Sequence, residues 1–294
     1  MVKAKIIAEI GINFAYGQDK SKFLDNVKKL IDVASVSGCD YVKFQKRDPL
    51  VCVPEEQKLK AKRVPWRKEE TTYLQYKIDS ELTLSDYQEI DSYCESKGIK
   101  WFASVWDKNS VDFMRKFQIL LPNGKWGVMT KIPSALINNL ELIEYARDNS
   151  DFLIISTGMS TQEQIDQAIE VCKPDVVMHT NSTYPSPIEE LNLDYITYLN
   201  HINKDFEKQF EVGYSGHEFG LTTTIAAYML GAVWIERHIT LDRSLWGSDQ
   251  MASVEPQGLI KLVKSIRDIE KARGGYGPRK ILGSEMEKLK TLRG

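Results

Sequence analysis

The sequence has 294 residues, and its 39 basic and 41 acidic side chains leave a formal net charge of −2 at pH 7. This balance excludes the polycationic surface with which proteins bind nucleic acids and anionic membranes, so a small-molecule partner is expected. The longest apolar run, residues 225–235, is shorter than the roughly 20 residues that cross a bilayer, and the four scattered cysteines form no C-x-x-C, which favours a reduced, cytoplasmic protein.

Short apolar runs alternate along the chain with longer amphipathic stretches. The runs predict eight strands, at residues 5–11, 40–45, 100–106, 128–134, 152–158, 175–181, 211–217 and 232–240. A helical pattern follows each run, which is typical of parallel strands buried on both faces. Eight such units close a (β/α)8 barrel, the TIM barrel. An open, doubly wound sheet is the competing architecture, but no strand is followed by its G-x-G-x-x-G turn.

Two of the helices have clear boundaries in the sequence. Ser21 opens the first and Gly38 closes it, because the apolar residues between them follow helical spacing. The second covers residues 84–98, with Ser85 as its N-cap and Gly98 just after its last turn.

The chain is expected to form one barrel domain over residues 1–273, followed by a short extension at 274–294 that is too small to fold as a domain. The connection between the second and third strands, residues 46–83, is longer and richer in charge than the others. A long insertion after a barrel strand is more often a functional flap than a filler loop.

Polar side chains stand at or near the end of almost every predicted strand. They are Glu9, Lys43, Gln45, Ser104, Lys131, Ser134, Ser156, His179, Asn181, Ser215, His217, Glu236 and His238. Barrel enzymes take their catalytic groups from the carboxyl ends of the strands. Residues two apart on a strand share a face, so pairs such as Glu236 and His238 are expected to point into one mouth.

Charged residues within apolar strands indicate a shared polar cavity, because an unpaired buried charge is costly. Glu9, Lys43, Lys131 and Glu236 fall in four different strands. The two lysines suit an anionic ligand, and the strand-end serines add hydroxyl donors. Structural ion pairs are the alternative interpretation of the lysines.

The histidines also have two interpretations. A single histidine in a strand is more often a hydrogen-bonded structural residue than a metal ligand. His217 and His238, however, end adjacent strands, and neutral imidazoles in that arrangement can share one metal ion and leave its other positions open. His179 fits cavity lining and core equally well, and His201 falls in a helical stretch, where a surface position is expected.

Seven segments in fixed order resemble the sialic acid synthase (N-acetylneuraminate synthase) family. They are IIAEIGIN, DYVKFQ, KIPS, IISTGMST, HTNSTYPSP, GYSGHEFGL and IERHITLDRSLWGSDQMASVEP. The similarity runs from residue 5 to about residue 270. It implies a TIM barrel that condenses phosphoenolpyruvate with an open-chain N-acetylmannosamine-type hexosamine to give a nine-carbon 2-keto acid and phosphate.

The resemblance also assigns roles to residues. His217 and His238 would hold a divalent ion, Mn²⁺ or Mg²⁺, that polarises the sugar aldehyde. The positions that bind the phosphate and carboxylate of phosphoenolpyruvate are Lys43, Lys131, Ser134, Ser156, Ser182 and Ser215, and those at the acceptor, water or metal shell are Glu9, Tyr184, Glu236 and Asp249. We take Glu9, Lys43, Lys131, Glu236 and Asp249 as candidate catalytic residues, and we add Ser104 and Asn181 as candidate substrate-binding residues.

Three features depart from the family pattern. Phe14 stands where many members have a histidine, and Leu136 stands where better-studied members have an acid near the acceptor. Typical members continue into a small antifreeze-like domain that supplies an arginine to the partner subunit's sugar site, and this sequence, which ends at Gly294, lacks it. The expected substitutes are Arg63, Arg67 or Lys68 in residues 46–83, and a homodimer would form through the barrel.

Two alternatives to a sialic acid synthase remain open from the sequence. One is a related phosphoenolpyruvate-dependent aldol synthase that takes another or a phosphorylated sugar. The other is a non-catalytic barrel that senses sugar or phosphate. The presence of both histidines, both strand lysines and Asp249 argues against this second alternative, because a decayed site would be expected to lose some of them.

Overall fold

Eight parallel strands close into a barrel in the computed structural model, which describes residues 3–275 and 277–293. Each strand pairs with its neighbours in chain order, and the last pairs with the first. The strands are β1 Lys5–Gly11, β2 Tyr41–Lys46, β3 Lys100–Val105, β4 Met129–Ile132, β5 Phe152–Ser156, β6 Val176–Thr180, β7 Glu211–Gly216 and β8 Trp234–His238. The predicted (β/α)8 barrel is confirmed, and each predicted strand lies within two residues of its observed bounds.

Helices cover the outside of the barrel after every strand. They are α1 Phe23–Ser37, α2 Pro49–Cys52, α3 Glu55–Lys58, α4 Tyr73–Asp79, α5 Leu84–Ser96, α6 Lys108–Met114, α7 Leu140–Asp148, α8 Gln162–Cys172, α9 Asp194–Ile202, α10 Thr222–Met229, α11 Pro256–Ala272 and α12 Met286–Arg293. The main hydrophobic core lies between these helices and the outward faces of the strands. No helix in the described part of the chain has the length and apolar character needed to cross a membrane.

One predicted helix start and one predicted N-cap are wrong, because side chains outside the apolar pattern determine them. Asp19 accepts a hydrogen bond from the Ser21 backbone N–H and begins a short 3-10 turn, so α1 starts at Phe23 instead of Ser21. Thr83, not Ser85, is the N-cap of α5, and it forms a capping box with Asp86. The predicted C-terminal ends are confirmed, since Gly38 caps α1 in the left-handed conformation and α5 ends just before Gly98.

The barrel interior changes from apolar to polar along the strands. Its lower part is a separate hydrophobic cluster that includes Ile7, Tyr41, Phe102, Met129, Ile154, Met178 and Trp234. Two residues further along, the same strands carry Glu9, Lys43, Ser104, Lys131, Ser156, Thr180 and Glu236, respectively. Because residues i and i+2 of a strand share a face, the apolar floor directs these polar side chains into the carboxyl end of the barrel.

The long connection after β2 folds onto the rim of the barrel. It contains α2, α3, a two-stranded hairpin at residues 61–62 and 71–72, and α4. Trp66 and Tyr76 lie with their ring centroids 5.1 and 5.7 Å from that of Trp246, in the loop after β8. The same cluster includes Ile12, in the loop after β1. The connection therefore covers the side of the mouth formed by the ends of β1, β2 and β8.

The last helix lies outside the barrel. After α11, a 3-10 turn at Gly283–Glu285 leads into α12, which has no buried residue.

Candidate active site

Strand register brings the charged residues together. Glu9 on β1 is level with Lys43 on β2 and with His238 on β8. Ser104 is level with Lys131, and Ser215 with Glu236. Parallel pairing around the closed barrel thus brings all of these side chains together above the apolar floor, in the polar layer at its carboxyl end.

Two lysines and two glutamates form a buried cluster within that layer. Lys43 Nζ lies 2.7 Å from Glu9 Oε2 and 3.6 Å from Glu236 Oε1. Lys131 Nζ lies 2.8 Å from the same Glu236 oxygen. All four side chains are less than 5% exposed. The charges balance one another in pairs, which is how buried charges are tolerated.

Burial and charge act in opposite directions on the pKa values of this cluster. Burial lowers the pKa of Lys43, but Glu236 and Glu9 outweigh it and raise that pKa overall. For Lys131 burial prevails over the attraction of Glu236, so its pKa is lowered. Burial raises the pKa of Glu236, but Lys131 and Lys43 outweigh it and lower the pKa to about 2. Glu236 is therefore a carboxylate at neutral pH, held between the Nζ atoms of Lys43 and Lys131.

A cavity of about 180 Å³ opens above the cluster. The predicted site residues that line it are Glu9, Lys43, Ser104, Lys131, Ser134, Ser156, Ser182, Tyr184, Ser215, His217, Glu236 and His238. The buried polar atoms in its wall that have no hydrogen-bond partner among the described residues include Ser156 Oγ, Trp106 Nε1 and Glu236 Oε2. Unsatisfied buried groups that converge on a cavity point to a polar ligand.

Two predicted site residues do not line this cavity. The side chain of Asn181 points to the neighbouring loop, where its Oδ1 accepts hydrogen bonds from Thr183 and its Nδ2 donates to the Glu190 carbonyl. Its position just beyond β6, one residue after the inward-facing Thr180, explains this direction. Asp249 lies beside the cavity, with Oδ2 3.8 Å from His238 Nδ1.

The wall also contains residues that the sequence did not single out as site residues. Trp106 and Thr180 line the cavity. Thr180 lies two residues after the inward-facing Met178. Because side chains alternate between the two faces of a strand, this spacing alone would have predicted that Thr180 lines the cavity. Met159 forms part of the rim and is 70% exposed.

The two histidines meet at the edge of the cavity. Their ring centroids are 5.3 Å apart. His217 Nδ1 lies 2.6 Å from the Asn181 carbonyl, to which it can donate, leaving Nε2 as the lone-pair nitrogen. Burial and the adjacent His238 lower the pKa of His217 to about 3, so its imidazole is neutral near pH 7. His238 Nδ1 is buried without a hydrogen-bond partner in residues 3–275 and 277–293.

These imidazoles are the candidate metal donors, but they form no larger cluster. Across the described ranges, no group of three or more His, Cys, Asp or Glu side chains is arranged to hold a metal. Tyr184 covers His217, with ring centroids 4.1 Å apart.

The other residues considered from the sequence lie away from the cavity. His179 is buried on the outer face of β6, where Nε2 lies 2.7 Å from the Leu191 carbonyl, and His201 is exposed as predicted. Phe14 is buried against Phe23. Leu136 does not line the cavity and packs against the outer core.

The residues expected to take the place of the antifreeze-like domain's arginine also lie away from the cavity. Arg63, Arg67 and Lys68 are all exposed, and none of them is in its wall. Arg67 is bound to Asp79, with Nε 2.6 Å from Oδ2.

A closed (β/α)8 barrel with a charged, partly unsatisfied cavity at its carboxyl end defines a TIM-barrel enzyme with a small-molecule site. Comparison with known proteins identifies its family. The model of the NeuB family matches residues 30–277. The whole chain is 34% identical to the N,N'-diacetyllegionaminic acid synthase of Campylobacter jejuni, of which it covers 84%. Over 92% of its length it is 33% identical to the N-acetylneuraminate-9-phosphate synthase of Homo sapiens, of which it covers 71%.

A solved structure agrees with this assignment. The N-acetylneuraminic acid (sialic acid) synthetase from Leptospira borgpetersenii superposes with a TM-score of 0.79 and 26% identity, over 99% of this chain and 93% of that one. The chain belongs to the NeuB family. It is an enzyme of the synthase type represented by these relatives, as the sequence segments predicted.

Proposed function

We propose that this protein is a nonulosonic acid synthase that condenses phosphoenolpyruvate with an open-chain N-acetylmannosamine-type sugar. The products are a nine-carbon 2-keto acid and inorganic phosphate. The observation that carries the proposal is the pair of buried lysines, Lys43 and Lys131, in a cavity with unsatisfied polar atoms. The names of the relatives agree with it, since they are synthases of acids in this class.

The hydrogen-bond donors of the cavity wall suit the anionic groups of phosphoenolpyruvate. Its phosphate and carboxylate need cationic and hydroxyl donors, and charge-assisted hydrogen bonds are the strongest kind available. Lys43 and Lys131 supply the cations, and Ser134, Ser156 and Ser215 line the same wall. The carboxylates of Glu9 and Glu236 hold the lysines in position before the ligand binds.

The reaction forms one carbon–carbon bond and breaks one carbon–oxygen bond. C3 of phosphoenolpyruvate attacks the aldehyde carbon of the sugar, whose oxygen takes a proton and becomes a hydroxyl group. Water adds to C2, and the bond between C2 and the phosphate oxygen then breaks, which leaves the ketone and phosphate. Glu9 and Glu236 are the carboxylates in the cavity wall that can accept the proton from water.

We also propose that His217 and His238 bind a divalent ion, Mn²⁺ or Mg²⁺. The neutral imidazole of His217 and the spacing of the two rings fit this role, because a metal-binding imidazole must be deprotonated and both rings must reach one ion. Asp249 can orient His238 as an outer carboxylate. When bound, the ion would act as a Lewis acid toward the sugar aldehyde.

The first test is phosphate release from phosphoenolpyruvate by metal-stripped protein, with and without Mn²⁺. The acceptors are N-acetylmannosamine, other hexosamines and their 6-phosphates. We expect release only with metal and one class of acceptor, and we expect His217→Ala to abolish both release and Mn²⁺ binding measured by calorimetry. His201→Ala is the matched control, because this histidine is exposed on α9. Failure of every acceptor, despite metal binding, would favour the sugar-sensing alternative.

A further inference from the structure

Arg47, just after β2, and Lys77, on α4, lie beside the cavity, and neither has a carboxylate partner within 4.0 Å among the described residues. The guanidinium of Arg47 donates a hydrogen bond to Gln45 and lies 4.2 Å from the ring centroid of Trp106. Lys77 Nζ lies 5.3 and 4.9 Å from the ring centroids of Tyr73 and Tyr76. Both side chains are held by neutral or aromatic groups only.

Both cations lie on the same side of the mouth. Gln45 and Trp106, which hold Arg47, are in the cavity wall. The side chains of Gln45 and Asp249 both lie next to Gly11. A methyl group added to this glycine would be 3.0 Å from Gln45 Nε2 and 3.6 Å from Asp249 Oδ2, so the two side chains are close to each other. The helix that carries Lys77 packs against the loop of Asp249, because Tyr76 contacts Trp246. Arg47 and Lys77 therefore flank the part of the mouth between Gln45 and Asp249.

The electrostatics of this pair are unfavourable without an anion. Burial and then the nearby charge of Arg47 lower the pKa of Lys77 to about 8, and Asp249 only partly opposes this. The neighbouring carboxylate of Glu81 is already bound to Lys46, with Nζ 2.8 Å from Oε2. Two like charges that are partly withdrawn from water and lack a counter-ion favour binding of an anionic ligand.

We propose that Arg47 and Lys77 form an anion subsite that receives the phosphate of a phosphorylated acceptor sugar. This inference rests on the proposed function, and it names the class of the second substrate. The lysines in the cavity wall, Lys43 and Lys131, serve the anionic groups of phosphoenolpyruvate. The aldehyde end of the acceptor must reach C3 of that ligand in the cavity, so its opposite end extends toward the mouth, where the unpaired cations lie.

The test compares N-acetylmannosamine with its 6-phosphate on the full chain. For each sugar, we would measure kcat/KM by phosphate release and Kd by calorimetry in the presence of phosphoenolpyruvate. We expect the wild-type protein to prefer the 6-phosphate, and Lys77→Met to reduce that preference by about tenfold or more, the loss expected for one charge-assisted contact. Lys77→Arg should keep most of the preference, because it retains the charge. Lys58→Met is the matched control, since Lys58 is in the same connection but is paired with Glu55.

The results separate this inference from the proposed function. Turnover of the unphosphorylated sugar alone, or equal loss of preference in Lys77→Met and Lys58→Met, would overturn the subsite and leave the synthase activity standing. If neither sugar is turned over, the proposed function fails, and the calorimetric preference for the 6-phosphate still decides whether Lys77 binds a phosphate.

Discussion

Gly158 has no room for a side chain, because it lies against two serines of the cavity wall. A methyl group added there would lie 2.2 Å from Ser182 Oγ and 2.9 Å from Ser134 Oγ, and the Gly158 backbone N–H donates to Ser134 at 3.1 Å. Gly158→Ala must therefore displace two serines that are proposed to bind phosphoenolpyruvate. We expect KM for phosphoenolpyruvate to rise by up to about 100-fold, since small misplacements of binding groups are costly. Steady-state kinetics would show this change.

Gly275 provides the control for that substitution. A methyl group there would meet nothing within 4 Å, so Gly275→Ala should leave KM unchanged. An unchanged KM in Gly158→Ala would mean that neither serine contacts the substrate.

The buried lysine–glutamate cluster can be tested by removing one charge and then two. Lys131→Met leaves Glu236 with only Lys43, 3.6 Å away. Removing one partner of a buried pair typically costs about 3 kcal/mol of unfolding free energy or more. We expect a loss of about 2–3 kcal/mol at pH 7 in urea denaturation, because Lys43 compensates in part.

The double variant Lys131→Met/Glu236→Gln should recover part of that stability, because it removes the uncompensated carboxylate. Activity should be lost in both variants. If the double variant were less stable than Lys131→Met, the charges would not be coupled as their 2.8 Å contact indicates.

At the scale of single elements, the alternation of inward-facing and outward-facing side chains along each strand made most of the cavity residues predictable. Glu236 and His238 point inward because they lie on the same face of β8 as Trp234, in the apolar floor. The role of the residue between them was not predictable. Arg237 faces outward and pairs with buried Glu218, 3.2 Å away in the loop after β7. That partner comes from another strand's loop, and a pattern within one strand carries no information about it.

In the connection between β2 and β3, too, local sequence patterns do not predict which side chains meet. Its charge and length indicated a functional role, but the cations proposed to flank the mouth are Arg47 and Lys77, whereas Arg63, Arg67 and Lys68 are exposed. Packing decides this outcome: Tyr76 and Trp66 fix the connection on Trp246, and Asp79 binds Arg67. Such tertiary contacts do not follow from local sequence patterns.

Asp79 should make the stability of the fold depend on pH in the acidic range. Burial raises its pKa, but hydrogen bonds from Arg67, Gln75 and Lys20 outweigh burial and lower the pKa to about 2 from 3.8. Its ion pairs therefore stabilise the fold fully above about pH 4 and are lost as the pH falls toward 2. Since Arg67 and Lys20 are partly exposed, we expect Asp79→Asn to cost about 1–2 kcal/mol at pH 7.

Urea denaturation between pH 7 and pH 2 would measure this effect. The stability of the wild-type protein should fall more steeply below pH 4 than that of Asp79→Asn. Asp148→Asn is the control, because Asp148 is exposed and forms no ion pair in the part of the chain described by the structure. Parallel curves for wild type and Asp79→Asn would contradict the assigned ion pairs.

At the scale of the whole molecule, the order of the strands was predictable from the sequence. Contacts between residues of the first and last strands, which are far apart in the sequence, depend on closure of the barrel. Glu9 and His238 are 229 positions apart and lie level with each other, because β1 pairs with β8. Counting strand–helix units predicts that closure, since eight units close a barrel. The distances within the cavity, including the 5.3 Å between the two histidine rings, depend on register and side-chain packing and had to come from the structure.

The segment after α11 should be dispensable for folding and for the active site. The helix that ends it, α12, has no buried residue, and its main contacts are with the 3-10 turn just before it. By contrast, α11 is anchored to β1, because Arg267 donates to the Ala4 carbonyl and pairs with Asp40, at 2.8 and 2.7 Å. These contacts, which link α11 to the start of the chain and to the residue before β2, are all made by residues that precede residue 275.

A chain that ends at Gly275 should therefore melt within about 2 °C of the full chain, because exposed residues contribute little to unfolding free energy. Its KM for phosphoenolpyruvate should also be unchanged. Differential scanning calorimetry and the phosphate-release assay would measure both. Arg267→Met in the full chain is the contrasting variant, and it should lower the melting temperature because it removes the link between α11 and β1. A large loss of stability on truncation would show that residues beyond 275 belong to the folded barrel unit.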